Sequence, residues 1–294
     1  MRMNQRRILD RSPEALRAEF AREGYLSPMP IFSRAEIAAF RARMEDFERR
    51  RPADARWAFD VKCNLLFDWV VEMARDPRLI AVTEALVGPD ILLTNAVFRN
   101  KHPGSDLAYG WHQDMARIEV SPAVAIAYVA ITESTPENGG VSVIPRTQGS
   151  VAPFTVTSTS EGQRRRTVAR VTNPPVERAV HLTLAAGEVL FFNANTIHGS
   201  GPNRSGKLRS AVLFDYAPAT ARQNIGMGSG QLLKGRDRGN LGLEPVPGGD
   251  CRPEDAAARR AIFRRYPDNP LLGPHGPGEP VYFPDAPEFE ALQG

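Results

Sequence analysis

The sequence predicts a mainly β fold, a double-sheet barrel packed against a helical layer, built as one domain over residues 1–294. Three observations carry this expectation. Through the first ninety positions apolar residues recur at spacings of three and four, the helical period. From Asp90 to Tyr216 short β-branched runs alternate with Gly, Pro and Asn clusters, the mark of successive strands. No repeat or linker divides the two regions, and 294 residues suffice for one sizeable core. The expected layout is a mostly helical layer over 1–89, a β core over 90–217 and a C-terminal wrap over 218–294.

In chain order, Ser12-Pro13-Glu14 opens a first helix with a cap residue and a proline at the first helical position, and Gly24 closes it. Ser33-Arg34-Ala35-Glu36 is a capping box, followed by Ile37, Phe40, Met44 and Phe47, so a second helix runs to about Arg51-Pro52. Leu65, Leu66, Trp69, Val70 and Met73 make another apolar stripe. Asp76-Pro77 starts a fourth helix that ends at Gly88. Strands are expected near Ile91 to Arg99, Gly110 to Ile118, Val124 to Thr132, Val141 to Pro145, Ala179 to Leu184, Val189 to Asn193 and Leu208 to Tyr216. The polar stretch from Val151 to Pro175, with Arg164-Arg165-Arg166, reads as a mobile functional loop or lid. After Pro218 the chain is rich in Gly, Pro and Arg, with one helix near Pro253 to Arg265.

Bulk properties narrow the function. Lys plus Arg number 37 against 34 Asp plus Glu, so the formal charge of +3 is no electrostatic footprint for nucleic acid, although a pI near 9.0 suits an anionic or small polar ligand. Cys63 and Cys251 cannot build a disulfide framework and have no metal-ligand spacing; they read as free thiols. The basic N-terminus lacks a signal-peptide apolar run, and the longest apolar stretch, Val124 to Ile131, is too short to span a bilayer. The expectation is a cytoplasmic protein with no nucleic-acid and no membrane partner, and an oligomeric state left open between monomer and homodimer.

The chemistry gathers at Trp111-His112-Gln113-Asp114. On a strand, His112 and Asp114 would aim at one face while Trp111 and Gln113 point away. A third ligand must come from elsewhere. Of the five histidines, at 102, 112, 181, 198 and 275, His198 has the most suggestive setting, a loop after the strand Val189-Leu190-Phe191-Phe192. Two histidines and one carboxylate on one face of a metal are the arrangement of non-haem Fe(II) oxygenases. Glu119 and Glu137 are rival carboxylates, and His181 reads as a structural histidine. The strand that resumes at Arg209 could bring a planar guanidinium into the same pocket, where it would suit a buried dicarboxylate. Arg204 and Arg222 are its rivals.

Taken together, Trp111-His112-Gln113-Asp114, Thr135-Pro136-Glu137-Asn138-Gly139-Gly140 with Val143-Ile144-Pro145, Ala186-Gly187-Glu188-Val189-Leu190-Phe191-Phe192, His198-Gly199-Ser200-Gly201-Pro202-Asn203 and Arg209 resemble the phytanoyl-CoA dioxygenase family of Fe(II)/2-oxoglutarate-dependent oxygenases. The resemblance implies a double-stranded β-helix core of the jelly-roll, cupin-like kind. It implies iron held by His112, Asp114 and His198, and Arg209 paired with the 2-oxoglutarate carboxylate. Lys101-His102-Pro103-Gly104 resembles the family's Lys-x-Pro-Gly loop, which adds Lys101 to the co-substrate site. The chain departs from the family at Pro145-Arg146-Thr147-Gln148, where Pro-Gly-Ser-His is common.

The implied function is Fe(II)-, 2-oxoglutarate- and O2-dependent oxidation of an unactivated C–H bond, above all hydroxylation, with release of succinate and CO2. The substrate class is a small molecule, a secondary metabolite of natural product biosynthesis or an amino-acid-like compound. Asp114 occupies the ligand position that related halogenases leave small for chloride, which favours hydroxylation over halogenation. Desaturation, cyclisation or epimerisation on the same centre is the alternative, and a non-catalytic, cupin-like metal- or ligand-binding protein is the second.

Overall fold

The computed structural model describes residues 11–265 apart from 118–119, 123, 162–163 and 224–227, and the side chains of 56, 117, 157–161 and 164–168 are likewise not described. Helix α1 (Pro13–Glu23) begins where the Ser12 hydroxyl accepts from the Ala15 amide and ends at Gly24, whose φ of 83° is the left-handed value that glycine tolerates. The capping box of Ser33 and Glu36 forms as expected and launches α2 (Arg34–Arg50), which buries Ile37, Phe40, Met44 and Phe47. Then come α3 (Pro52–Ala58), α4 (Asp68–Ala74), α5 (Pro77–Val87) and, near the C-terminus, α6 (Pro253–Arg265).

The strands are β1 (Tyr25–Pro30), β2 (Ile91–Lys101), β3 (Tyr109–His112), β4 (Val120–Ser121), β5 (Ala125–Ala130), β6 (Val141–Val143), β7 (Phe154–Glu161), β8 (Arg164–Val171), β9 (Val180–His181), β10 (Glu188–Asn193), β11 (His198–Ser200), β12 (Arg209–Pro218), β13 (Arg222–Gln223), β14 (Ser229–Lys234) and β15 (Gly242–Leu243). A seven-stranded sheet in the order β1-β10-β5-β12-β2-β14-β15 faces a four-stranded sheet in the order β3-β11-β6-β9. Alternation divides the large sheet's side chains. Val129, Phe191, Val212 and Phe214 pack outward against Phe20, Phe40, Phe47 and Trp69 of the helices. Tyr128, Leu190, Phe192 and Ala211 point inward against Val141, Val143 and Leu184 of the small sheet. Burying each large apolar side chain contributes about 1.5–3 kcal/mol, so many comparable contacts hold the helical layer. This is the expected double-stranded β-helix core with its helical flank. No helix among the described residues is long and apolar enough to cross a membrane.

Two expectations are corrected and two gain detail. The strand expected from Gly110 to Ile118 stops at His112, and Asp114–Arg117 is a 3-10 turn because the Asp114 amide turns to donate to the Ala194 carbonyl, 2.9 Å away. The segment from Val151 to Pro175 is not a structureless loop: β7 and β8 pair antiparallel from Phe154 opposite Val171 onward. Its Thr and Val content is β-forming, and Ala169 and Val171 of β8 are buried. The side chains of Arg164, Arg165 and Arg166 lie outside those described. The helical first ninety residues contain one strand, β1, hidden by two prolines, which joins the sheet edge with Tyr25 opposite Phe192. The C-terminal wrap likewise contributes β14, paired with β2 through Leu92 and Leu93.

Candidate metal centre

The small sheet brings the two histidines together. Strand β11 pairs with β3 so that His198 lies directly opposite His112, their ring centroids 4.2 Å apart. Each ring is held by the same local device. Nδ1 of His112 lies 2.7 Å from the Gly110 carbonyl oxygen, and Nδ1 of His198 lies 3.0 Å from that of Thr196. A carbonyl can only accept, so each Nδ1 carries the proton and each Nε2 presents a lone pair.

Asp114 meets both lone pairs. Its Oδ1 is 3.4 Å from His112 Nε2 and its Oδ2 is 3.5 Å from His198 Nε2. One donor atom from each of the three residues falls within 4.8 Å of the others, a cluster that could hold one metal ion. Burial alone would raise the Asp114 carboxyl, but the two imidazoles and Arg99 outweigh it and hold the group at about 2. Burial and the neighbouring His112 push His198 down to about 4, which keeps its ring neutral and able to ligate.

Gln113, expected to point away from the barrel, is 2 % exposed and fixes the segment between the two ligands. Its amide nitrogen donates to the carbonyls of Asn195 and of Ser150 (2.9 Å), and its Oε1 accepts from the Ala152 amide at 2.8 Å. A glutamine flanked by two ligands in sequence was the available signal. Trp111 does point away, packing with Ile144, Val171 and Ile197. The departure at Pro145-Arg146-Thr147-Gln148 also has a place here. The Thr147 hydroxyl accepts from the Ile197 amide at 2.9 Å and donates to the Ile144 carbonyl at 2.7 Å, so it braces the residue before His198.

Arg209 begins β12 directly opposite Lys101 at the end of β2, and both are 1 % exposed. Among the described residues the guanidinium donates once, from NH1 to the Arg99 carbonyl at 2.8 Å, and its buried Nε has no partner. An orphaned buried N–H is costly, and a carboxylate would satisfy it. The Lys101 ammonium donates to the Ser200 hydroxyl at 2.7 Å and to the carbonyls of Ser200 and Gly201. Burial first and the neighbouring Arg209 second push it down to about 7. The Glu-Asn-Gly turn abuts this corner: a Cβ on Gly139 would stand 2.6 Å from the Gly201 carbonyl oxygen and 2.9 Å from Lys101 Cδ.

The rivals lie elsewhere. Glu137 is exposed, Arg204 forms an exposed ion pair with Asp106 at 2.7 Å, and Arg222 is exposed on β13. His102 is exposed, and His181 Nδ1 meets the Ser142 hydroxyl at 2.7 Å on β9, a structural contact. Glu119 and His275 lie outside the described residues.

Comparison with known proteins agrees with this architecture. The "Phytanoyl-CoA dioxygenase (PhyH)" family model matches residues 20–211. Human peroxisomal phytanoyl-CoA dioxygenase is 27 % identical over 149 residues, 49 % of this chain and 44 % of its own length, so the chain spans less than half of that relative. The ectoine dioxygenase of Stutzerimonas stutzeri (strain A1501) is 26 % identical over 230 residues, covering 67 % of this chain and 74 % of that one. Among solved structures, the apo form of the non-heme monooxygenase ThoJ shares the fold with a TM-score of 0.74 at 22 % identity, over 85 % of this chain and 95 % of that one. With the family match running through both sheets and past Arg209, the chain belongs to the phytanoyl-CoA dioxygenase family.

Proposed function

We propose that this protein is an Fe(II)- and 2-oxoglutarate-dependent dioxygenase that hydroxylates an unactivated C–H bond of a small molecule, with O2 as oxidant and succinate and CO2 as co-products. The observation that carries the reading is the convergence of His112 Nε2, the Asp114 carboxylate and His198 Nε2. The donor set fits iron: two imidazoles whose Nδ1 protons are committed to backbone carbonyls, which leaves Nε2 of each to ligate, and one carboxylate already ionised. The second anchor is Arg209, whose unpartnered buried Nε fits a carboxylate of the co-substrate.

When bound, iron with 2-oxoglutarate supplies the oxygen-activating chemistry. The chain's part is positional. His112, Asp114 and His198 would hold the metal through the two Nε2 atoms and the carboxylate. Arg209 receives the distal carboxylate, with the Lys101 charge beside it. The two sheets exclude water from the space between them through Tyr128, Leu190 and Phe192.

The test is succinate formation by purified protein with Fe(II), ascorbate and 2-oxoglutarate, together with calorimetric binding of 2-oxoglutarate to the metal-loaded chain. Binding of 2-oxoglutarate that is lost in Arg209→Ala supports the dioxygenase. Metal binding with no 2-oxoglutarate binding would instead mark a non-catalytic, cupin-like metal-binding protein.

A further inference from the structure

Asp215 is the one carboxylate of the central strand, and neither the metal triad nor the Arg209 corner uses it. On β12 the side chains of Ala211 and Leu213 face the barrel interior, whereas Val212, Phe214 and Tyr216 face the helices, so alternation turns Asp215 inward. It sits between Asn95 of β2 and Ile126 of β5, six residues beyond Arg209 on the same face. At about 3.3 Å per residue that is on the order of 20 Å along the strand. If the co-substrate occupies the Arg209 end, the Asp215 end is left to whatever else enters.

The carboxylate is poorly compensated. Its Oδ2 accepts from Asn95 Nδ2 at 3.0 Å, and it has no ion pair among the described residues. Two cations act on it from a distance, Arg99 and Lys62, and each is committed elsewhere. Arg99 NH1 lies 3.6 Å from Asp60, and the fully buried Lys62 is bonded to the equally buried Glu244. Burial, added to by the charge of Asp114, pushes the Asp215 carboxyl up to about 7. Alternation puts Asp215 on the face of the large sheet that is turned toward the small sheet, the side of the triad. A carboxylate kept at such a cost on the inner face of a barrel is a recognised mark of a functional position.

We propose that Asp215 determines substrate specificity by receiving a protonated amine of the substrate inside the barrel, which makes the substrate a small organic amine of amino-acid-like character. The inference rests on the dioxygenase reading and names its substrate class. An ammonium supplies the positive charge and the donor that the protein withholds, through a hydrogen bond about twice as strong as a neutral one. Asn95 orients the carboxylate so that its other oxygen is free to accept. Asp215 takes no part in holding the metal or the co-substrate.

The test uses the full chain, anaerobic, loaded with Fe(II) and 2-oxoglutarate, and a panel of free L-amino acids and short diamines set against the same compounds N-acetylated. Binding is read by the change in the visible Fe(II)–2-oxoglutarate absorption band and by calorimetry. At least one free amine is expected to bind, with its N-acetyl form about tenfold or more weaker, the loss of one charged hydrogen bond. Asp215→Asn should weaken that amine by about the same factor and leave 2-oxoglutarate affinity within about twofold, with Asp215→Glu partly restoring amine binding. The amine assignment is overturned if 2-oxoglutarate binds normally but no amine does, if acetylated compounds bind equally well, or if Asp215→Asn binds amines like the wild type. The last result would make Asp215 a neutral carboxyl that serves Asn95 alone. Failure of the wild type to bind 2-oxoglutarate overturns the dioxygenase reading itself and the amine assignment with it.

Discussion

His112 and His198 face each other across one rung of β3 and β11, and each donates its Nδ1 proton to the carbonyl two residues before it, Gly110 and Thr196. The two rings are thus held in one tautomer by backbone alone. Such contacts fix ligand orientation as firmly as carboxylate partners do in other metal sites. The orientation of the two rings therefore rests on backbone groups. Asp114→Ala is expected to lower metal affinity by more than about 100-fold and to abolish substrate-dependent succinate release, because it removes the only charged ligand. Calorimetry with Fe(II) or a stand-in divalent ion checks this, and a variant with full activity would remove Asp114 from the ligand set.

Arg209→Lys tests the buried fork. A lysine keeps the charge but cannot present two parallel N–H groups to a carboxylate. Truncation of one partner in a buried charged pair costs about 2–5 kcal/mol, so Arg209→Ala should raise the KM for 2-oxoglutarate by about 30-fold or more, with Arg209→Lys in between. Metal affinity measured without 2-oxoglutarate should be unchanged in both variants. A parallel loss of metal binding would mean that Arg209 serves the fold instead.

Much of this was legible in the sequence, for identifiable reasons. Helix boundaries followed from side chains that act locally: Ser12, Ser33 with Glu36, and Pro77 each cap or start a helix in the structure. The candidate ligand residues stood out because His, Asp and Arg in strand-and-loop settings are chemically conspicuous. The reason given for His-x-Asp, two side chains on one face of a strand, does not hold. The chain leaves the strand after His112, and Asp114 reaches the centre from a 3-10 turn anchored on Ala194. Turns set by a contact 80 residues away leave no periodic trace. The same holds for β1 and β14, which become strands only because β10 and β2 offer them an edge.

Gln113 offers a stability test separate from catalysis. Its side chain links the segment that carries His112 and Asp114 to Ser150, Ala152 and Asn195, all through backbone groups. Gln113→Leu keeps the volume and removes every one of these bonds. Stranding buried polar groups costs about 1–3 kcal/mol each. A Tm lowered by about 5 °C or more is expected, at roughly 2–4 °C per kcal/mol for a domain of this size, together with weaker metal binding. Circular dichroism melts with and without metal separate the two effects, and an unchanged Tm would show that water replaces the amide at no cost.

The pH dependence of stability carries the sign of two groups, Asp215 and Lys101. Asp215 is raised to about 7 by burial and by Asp114, against the opposing pull of Asn95, Arg99 and Lys62. Between its unfolded value near 4 and about 7 the folded state therefore holds the extra proton, and this group's contribution to stability falls as pH rises through that window. Lys101 is lowered to about 7, so between about 7 and its ordinary value near 10.5 the unfolded chain holds the extra proton, and stability recovers as pH rises. Asp215→Asn removes the first effect only. Relative to wild type, the variant should gain stability steadily from pH 4 to pH 7 and hold a constant advantage above that, as read by urea denaturation at matched ionic strength. A stability difference that does not change across that range would show that Asp215 titrates as it does in the unfolded chain.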